Sequence, residues 1–338
     1  MKIKILYVVL SMLMLNSLFF TGCSSTDASV PTNNQVITTE TIPGNIPQDE
    51  ADNGYRILIT SDMHYTSIST YSGVTMGKRL QTWVDGILAE HESDPFDLII
   101  ILGDMSLDYW GWNGGGTYQR DPEKGETQLF VEKYVSQLPQ DVPVVVLPGN
   151  HELYTNEKWK EITGNNRSES FVLGNNLFIM PDSYAGAIDP TYEGSGKNDA
   201  PYKAVDMDFI RDAMAAHPEC DNVFLLSHQF DMNQESAEFK DLLSTEKRIQ
   251  ALFSGHTHGA NVITLGSQYR NLLHIKTGNF AECGAQTDEN FSWGYRDLLI
   301  SENGIVSRYI RPECSYVTSA NKVKMFGRAI QSTCIIRK

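Results

Sequence analysis

The chain has 338 residues, of which 41% are hydrophobic, 10% aromatic and 20% charged, the composition of a soluble globule with enough apolar material for a substantial core. Disorder throughout and a polytopic membrane protein are both excluded. Forty-two acidic against 27 basic residues leave a formal charge of -15, so no nucleic-acid track is expected and the natural partner is small or uncharged.

Residues 1–22 read as a secretory signal: Lys2 and Lys4, then a largely apolar run from Ile5 to Phe20, interrupted by Ser11, Asn16 and Ser17 and too short for a good membrane span. Phe20-Thr21-Gly22-Cys23 resembles a bacterial lipobox, in which the cysteine takes a thioether-linked diacylglycerol and becomes the mature N-terminus; Phe20 departs from the usual aliphatic residue. The expected location is therefore extracytoplasmic, a bacterial lipoprotein anchored to the membrane through Cys23, with ordinary secretion as the alternative. Two or more acyl chains anchor stably where one does not. Residues 23–54, dominated by Ser, Thr, Asn, Pro, Asp and Gln, read as a polar tether too hydrophilic to offset its ordering entropy. With Cys23 lipidated, Cys220, Cys283, Cys314 and Cys334 remain. Cys314 with Cys334 is the simplest pairing, against the alternative that all four are free and buried.

From Tyr55 onward, apolar runs at Arg56–Thr60, Leu98–Leu102, Val142–Leu147, Asn222–Leu226 and Gln250–Phe253 read as buried strands. Helical stripes lie between them: Met76, Leu80, Trp83, Val84, Ile87 and Leu88; Phe130, Val131, Tyr134, Val135 and Leu138; and Met207, Ile210 and Met214. This alternation predicts an α/β domain. Runs at Asn261–Leu265, Leu272–Lys276, Tyr295–Ile300 and Ile305–Ile310 then follow without helices, the last two joined by a turn at Ser301-Glu302-Asn303-Gly304, which implies a second, more antiparallel sheet. The expected catalytic domain covers residues 55–312, leaving 313–338 as an extension that is either an extra strand or an appendage.

The chemistry collects directly after the five buried strands: Ser61-Asp62-Met63-His64, Gly103-Asp104-Met105-Ser106-Leu107-Asp108, Pro148-Gly149-Asn150-His151-Glu152, Ser227-His228 and Ser254-Gly255-His256-Thr257-His258. In an open α/β sheet the carboxyl ends of the strands share one edge, so these loops converge. An isolated Asp or Asn after a strand is ordinarily a turn or cap residue. His91 and His217 near helix ends, and His274 on a strand, read as structural. Five strand ends furnished alike are a different matter. Asp62, His64, Asp104, Asn150, His228, His256 and His258 supply mixed nitrogen and oxygen donors suited to two first-row divalent ions, and the glycines before Asp104 and His256 permit the tight backbone that aims ligands inward.

The order Asp-x-His, Gly-Asp, Gly-Asn-His-Glu, His, Gly-His-x-His resembles the calcineurin-like metallophosphoesterase superfamily. The resemblance spans Asp62 to His258 and implies a two-sheet β-sandwich flanked by helices, a four-layer αββα arrangement. Carried over by position, it implies that Asp62, His64 and His258 hold one ion, that Asn150, His228 and His256 hold the other, and that Asp104 bridges; the ions would be Mn, Fe or Zn. His151 then stays free of metal and contacts the phosphate and the leaving oxygen. Two features depart from the pattern. An acidic residue often found three positions after the bridging Asp is Leu107 here, with Asp108 one later, and Leu107 also cannot serve as the iron-binding Tyr of purple acid phosphatases.

Two divalent ions bring four positive charges against the two of Asp62 and Asp104, so the site attracts phosphate although the chain is acidic; distant carboxylates are screened beyond about 8 Å. A water bridging the ions, its pKa lowered from 15.7 to about 7, is expected to supply hydroxide for in-line attack on a phosphate mono- or diester, with His151 protonating the departing oxygen. The alternative is a metal-stabilised binding or scaffold module that has kept the fold without turnover, against which stands the non-ligand His151. Downstream of Asp104, Tyr109, Trp110 and Trp112 lie among glycines and are candidate substrate contacts. A second insertion, Asp182–Pro201, is a candidate cover for the other side.

Overall fold

The computed structural model describes residues 54–65, 70–71, 74–107, 125–184, 200–281, 293–317 and 323–337. Residues 1–53, which hold the expected signal, Cys23 and all but the last residue of the expected tether, the candidates Tyr109, Trp110 and Trp112, and most of the 182–201 insertion lie outside the described residues.

Strand β1 (Tyr55–Thr60) shows how the core is built. Ile57, Leu58 and Ile59 are consecutive and all fully buried, because successive side chains of a strand point to opposite faces and here both faces are covered. A short pair follows, β2 (Thr70–Tyr71) and β3 (Val74–Thr75), then helix α1 (Met76–Ser93) and β4 (Leu98–Leu102). Helix α2 (Glu126–Lys133), β5 (Val144–Leu147), helix α3 (Asn156–Thr163) and the hairpin β6 (Glu169–Leu173) and β7 (Asn176–Met180) come next. Helix α4 (Met207–Ala216), β8 (Asn222–Ser227), helix α5 (Ala237–Thr245), β9 (Ile249–Ser254), β10 (Val262–Thr264) and β11 (Leu273–Lys276) complete the middle of the chain. The last strands are β12 (Tyr295–Ser301), β13 (Gly304–Arg311), β14 (Cys314–Val317), β15 (Val323–Phe326) and β16 (Ala329–Arg337).

Two six-stranded sheets result, ordered β16-β13-β12-β1-β4-β5 and β10-β11-β9-β8-β7-β6. In the first, β1, β4 and β5 are parallel and β12, β13 and β16 run antiparallel; in the second, β7, β8, β9 and β11 are parallel, with β6 and β10 antiparallel at the edges. Between the sheets Ile57, Ile59, Ile100 and Leu102 meet Phe178, Phe224, Leu226 and Phe253. The outer face of the first sheet, with Leu58, Ile99 and Ile101, packs on Leu80, Trp83 and Ile87 of α1 and Phe130 of α2. The outer face of the second, with Leu177, Val223 and Leu252, packs on Ile210 of α4 and Phe239 of α5. This is the four-layer α/β sandwich flanked by helices.

The division of strands differs from the sequence reading. The five motif-bearing strands do not share one sheet: β1, β4 and β5 belong to the first, β8 and β9 to the second, and the later antiparallel strands are split between them. Strands buried on both faces are apolar without alternation, so nothing in their pattern says which sheet they join. The end of the chain supplies β16, which closes the first sheet against β13, and a separate ribbon of β14 and β15. Cys334 is a free buried thiol in the core between the sheets, opposite Ser307, whereas Cys314 begins the ribbon opposite Phe326. The expected Cys314–Cys334 pair is therefore not formed; Cys220 is likewise free and buried, and Cys283 lies outside the described residues. Among the described residues no helix is long and apolar enough to cross a membrane.

Candidate metal centre

Beyond the last residue of β1 the chain continues alongside the segment that follows β4, without regular strand geometry: Asp62 N donates to Gly103 O (3.0 Å), His64 N to Asp104 O (3.0 Å) and Tyr65 N to Met105 O (2.8 Å). Asp62, His64 and Asp104 there have φ of 57°, 49° and 51°, and His256 and His258 after β9 have 66° and 57°. Left-handed backbone costs a non-glycine residue about 1–2 kcal/mol, and Asp and His are among the residues that visit it as single positions. Five such residues at one edge are strain held in place by the strands behind them. Gly103 itself has φ 78°. The glycine before His256 acts by clearance instead, since a Cβ on Gly255 would lie 2.6 Å from Asp62 Oδ2.

These turns bring together all seven residues expected to hold metal. Asp104 Oδ2 lies 3.0 Å from His228 Nε2, 3.5 Å from His64 Nε2 and 3.8 Å from His151 Nε2. Asp62 Oδ1 lies 3.4, 3.9 and 4.0 Å from Nε2 of His258, His228 and His64. Asn150 Oδ1 is 3.1 Å from His228 Nε2 and 3.0 Å from His256 Nδ1. Donor atoms of Asp62, His64 and His258 fall within 4.8 Å of one another, as do those of Asp104, His228 and His256.

The donor set fits divalent cations on physical grounds. Asp62 and Asp104 are buried, and no Lys or Arg forms an ion pair with either among the described residues. Asp62 Oδ1 is buried without a hydrogen-bond donor. Removing a carboxylate from water costs several kcal/mol unless a countercharge is supplied, and here imidazoles and an amide oxygen converge on the same space. Mixed nitrogen and oxygen donors suit first-row divalent ions.

Outer contacts aim these ligands. His228 Nδ1 donates to Leu102 O (2.6 Å), which aims Nε2 at Asp104 and Asn150. Ser61 Oγ donates to Asp62 Oδ2 and lies 2.6 Å from Thr277 Oγ1; His256 N donates to the same carboxylate oxygen at 3.0 Å. Burial disfavours charge on His228, but Asp104 and then Asp62 outweigh it and push the imidazole up to about 9. Burial, reinforced by neighbouring His228, pushes His256 down to about 3.

Two contributors escaped the sequence reading. Glu152, fully buried, accepts hydrogen bonds from Asp104 N (2.9 Å), Ser106 N (3.0 Å) and Gly149 N (2.7 Å), tying the loop after β4 to the loop after β5. Burial first, then the charge of Asp104, pushes its carboxyl up to about 7. Its signal was its place as the last letter of Gly-Asn-His-Glu. The other is a sixth strand end, after β11, where Asn279 Nδ2 donates to His258 O (2.5 Å) and Phe280 N to Asp62 O (3.0 Å). Neither Asp nor His marks residues 277–281.

His151 sits at the rim of the cluster. Its backbone N donates to Asp104 Oδ1 (3.1 Å) and its ring stands edge-on to His64, centroids 5.3 Å apart. Leu107 is buried and its amide donates to Tyr65 O. His91 accepts from Phe96 N at 3.1 Å, His217 pairs with Glu219, and His274 lies on β11 with Nε2 2.8 Å from Ser254 Oγ, so none of the three joins the cluster.

A family model for calcineurin-like phosphoesterases matches residues 55–260, and the chain belongs to that family. Solved structures that resemble it include purple acid phosphatase PPD1 from yellow lupin (Lupinus luteus) seeds, at 13% identity and TM-score 0.47 over 83% of this chain and 53% of that one. GAP50, the anchor in the inner membrane complex of Plasmodium, is similar at 13% identity and TM-score 0.43, over 82% and 89% of the two chains. A putative 5'-nucleotidase from Staphylococcus aureus is similar at 11% identity and TM-score 0.38, over 84% and 55%. The chain thus spans about half the length of the lupin phosphatase and of the nucleotidase. No curated protein matches it.

Proposed function

We propose that this protein is a dinuclear metal-dependent phosphoesterase acting on a small phosphate mono- or diester. The observation that carries the reading is the convergence of five donor residues, His64, Asn150, His228, His256 and His258, on two buried carboxylates, one of which keeps an oxygen without a hydrogen-bond donor. Asp62, His64 and His258 would hold one divalent cation and Asn150, His228 and His256 the other, with Asp104 between. Such cations supply positive charge for the phosphate oxygens and acidify water at neutral pH.

The chain's own residues do the rest. The imidazoles carry no negative charge, so the loaded site stays net positive within an acidic protein and favours an anionic ester. Asp104, held by Glu152 through its amide and touched by three imidazoles, fixes the distance between the halves. His151, on the rim with its ring beside Asp104 and His64, delivers a proton to the departing oxygen, a contribution of about 10²- to 10⁴-fold. Anchoring through Cys23 would place this chemistry at a membrane surface outside the cytoplasm.

Chelation followed by dialysis against Mn²⁺, with turnover of a nitrophenyl phosphate monoester and of its bis-ester compared alongside metal content, tests this reading. Activity should vanish with the metal and return with it. The His151→Ala variant should keep its metal and lose about 10²-fold or more of turnover. Full turnover by metal-free protein would refute the proposal, and loss of metal from His151→Ala would remove that residue from its assigned role.

A further inference from the structure

Apart from the His256 amide that donates to Asp62 Oδ2, the two halves of the metal centre are braced by different parts of the chain. Asp62, His64 and His258 are backed by Ser61, Thr277, Asn279 and Phe280. Asn150, His228 and His256 are backed instead by the residues on either side of 185–199. Ala200 N donates to Asn150 O at 2.8 Å. Ser227 Oγ, at the end of β8, donates to Pro181 O (3.0 Å) and lies 2.9 Å from Ser183 Oγ. Tyr184 and Tyr202 pair as an antiparallel bridge, so both flanks are locked together beside this half.

Tyr184 is the point of contact with the imidazoles. Its ring is buried, with its centroid 5.8 Å from that of His228 and 6.4 Å from that of His256, whose own rings are 5.4 Å apart. Its hydroxyl donates to Gln229 Oε1 at 2.5 Å, one residue past His228. From behind, Tyr184 N donates to Asp182 Oδ1 (3.0 Å), Asp182 pairs with Arg167 (2.9 Å), and Arg167 donates to Glu152 O (2.9 Å).

The ring matters because of an asymmetry between the two histidines. A metal-binding His ordinarily donates its second ring nitrogen to a carbonyl or carboxylate, which fixes ring orientation. His228 does so with Leu102 O. His256 uses Nδ1 toward Asn150 and has no such outer partner for Nε2 among the described residues. Its ring plane is set by packing, and the aromatic side chain packed against it, apart from His228, is Tyr184.

We propose that Tyr184 is a positioning residue that orients His256 and His228 and thereby sets the affinity of one half of the centre, the cation held by Asn150, His228 and His256, without touching the other half. The proposal rests on the two-cation reading above. Its test is binding rather than turnover: stepwise Mn²⁺ titration of the full chain by calorimetry, with electron paramagnetic resonance distinguishing an isolated Mn²⁺ from a coupled pair. Wild type should bind two ions and show the coupled signal. Tyr184→Leu, which keeps most of the apolar volume but removes the ring, should weaken one site by about 10- to 100-fold and leave the other at its wild-type affinity. At one equivalent above the tight site it should show isolated Mn²⁺. Tyr184→Phe should restore the coupled pair. Tyr184→Ala is the harsher cut, and if it does not fold, the Leu variant decides. Two sites of unchanged affinity in Tyr184→Leu, or both weakened equally, would overturn the inference while leaving the function intact; fewer than two ions in wild type would overturn both.

Discussion

On the helix-covered face of the first sheet, Arg56 is buried against Asp297 (3.1 Å), Glu90 (3.2 Å) and the more exposed Asp94 (3.3 Å), while Arg308 and Arg328 complete the pairing of Asp297 and Glu90. At the carboxyl edge, Asp62 and Asp104 are as deeply buried as Asp297, yet their neighbours are imidazoles. In the first cluster three guanidiniums meet three carboxylates, so the protein provides its own countercharge. In the second it provides none beyond what a proton on His228 can supply. The contrast separates a cluster that joins β1, α1, β12 and β13 from one shaped to receive cations.

Breaking the first cluster should cost most. Arg56→Met removes the guanidinium that Asp297 and Glu90 share, leaving Asp297 with Arg308 and Glu90 with Arg328, and is expected to lower stability by about 3 kcal/mol in urea unfolding, with Mn²⁺ content unchanged. A loss of metal in that variant would show that the two clusters are not separate. Asp104→Asn attacks the second. It should reduce phosphoesterase turnover by more than the about 100-fold that outer partners of a metal cost, and should abolish the thermal stabilisation of about 2.7 kcal/mol expected of wild type at Mn²⁺ a hundredfold above its Kd. Stabilisation that persists in Asp104→Asn would place the ions elsewhere.

The smallest effect is an acid-side slope. Burial raises the carboxyl of Glu90, but Arg328 and Arg56 outweigh it and hold it below its ordinary value of 4.5. Its contribution is therefore present above about pH 4.5 and is lost as pH falls through the depressed folded value. Glu90→Gln should show a shallower loss of stability below that pH than wild type, measured by chemical unfolding across the acid range. An unchanged slope would mean that Glu90 is not held as an anion by its arginines.

The five site-bearing strand ends were legible because each follows an uninterrupted apolar run, as Gly103-Asp104 follows Leu98–Leu102. Other features were written only in long-range contacts. Helix α3 buries a single large side chain, Trp159, so its sequence shows no apolar stripe; Thr155, whose side chain accepts from Lys158 N, and Gly164 at φ 80° mark its ends. The grip of Glu152 on Asp104 spans 48 residues, and the left-handed turns at Asp62 and His64 carry no local glycine to announce them. Tyr184 looked like part of an insertion, since nothing local ties it to His228, 44 residues on.

The central claim is most directly tested by the anomalous diffraction of a crystal equilibrated with Mn²⁺. Two peaks are predicted, one among Asp62, His64 and His258 and one among Asn150, His228 and His256, each within coordination distance of the Asp104 carboxylate. A map with no peak there, or with only one, would contradict it.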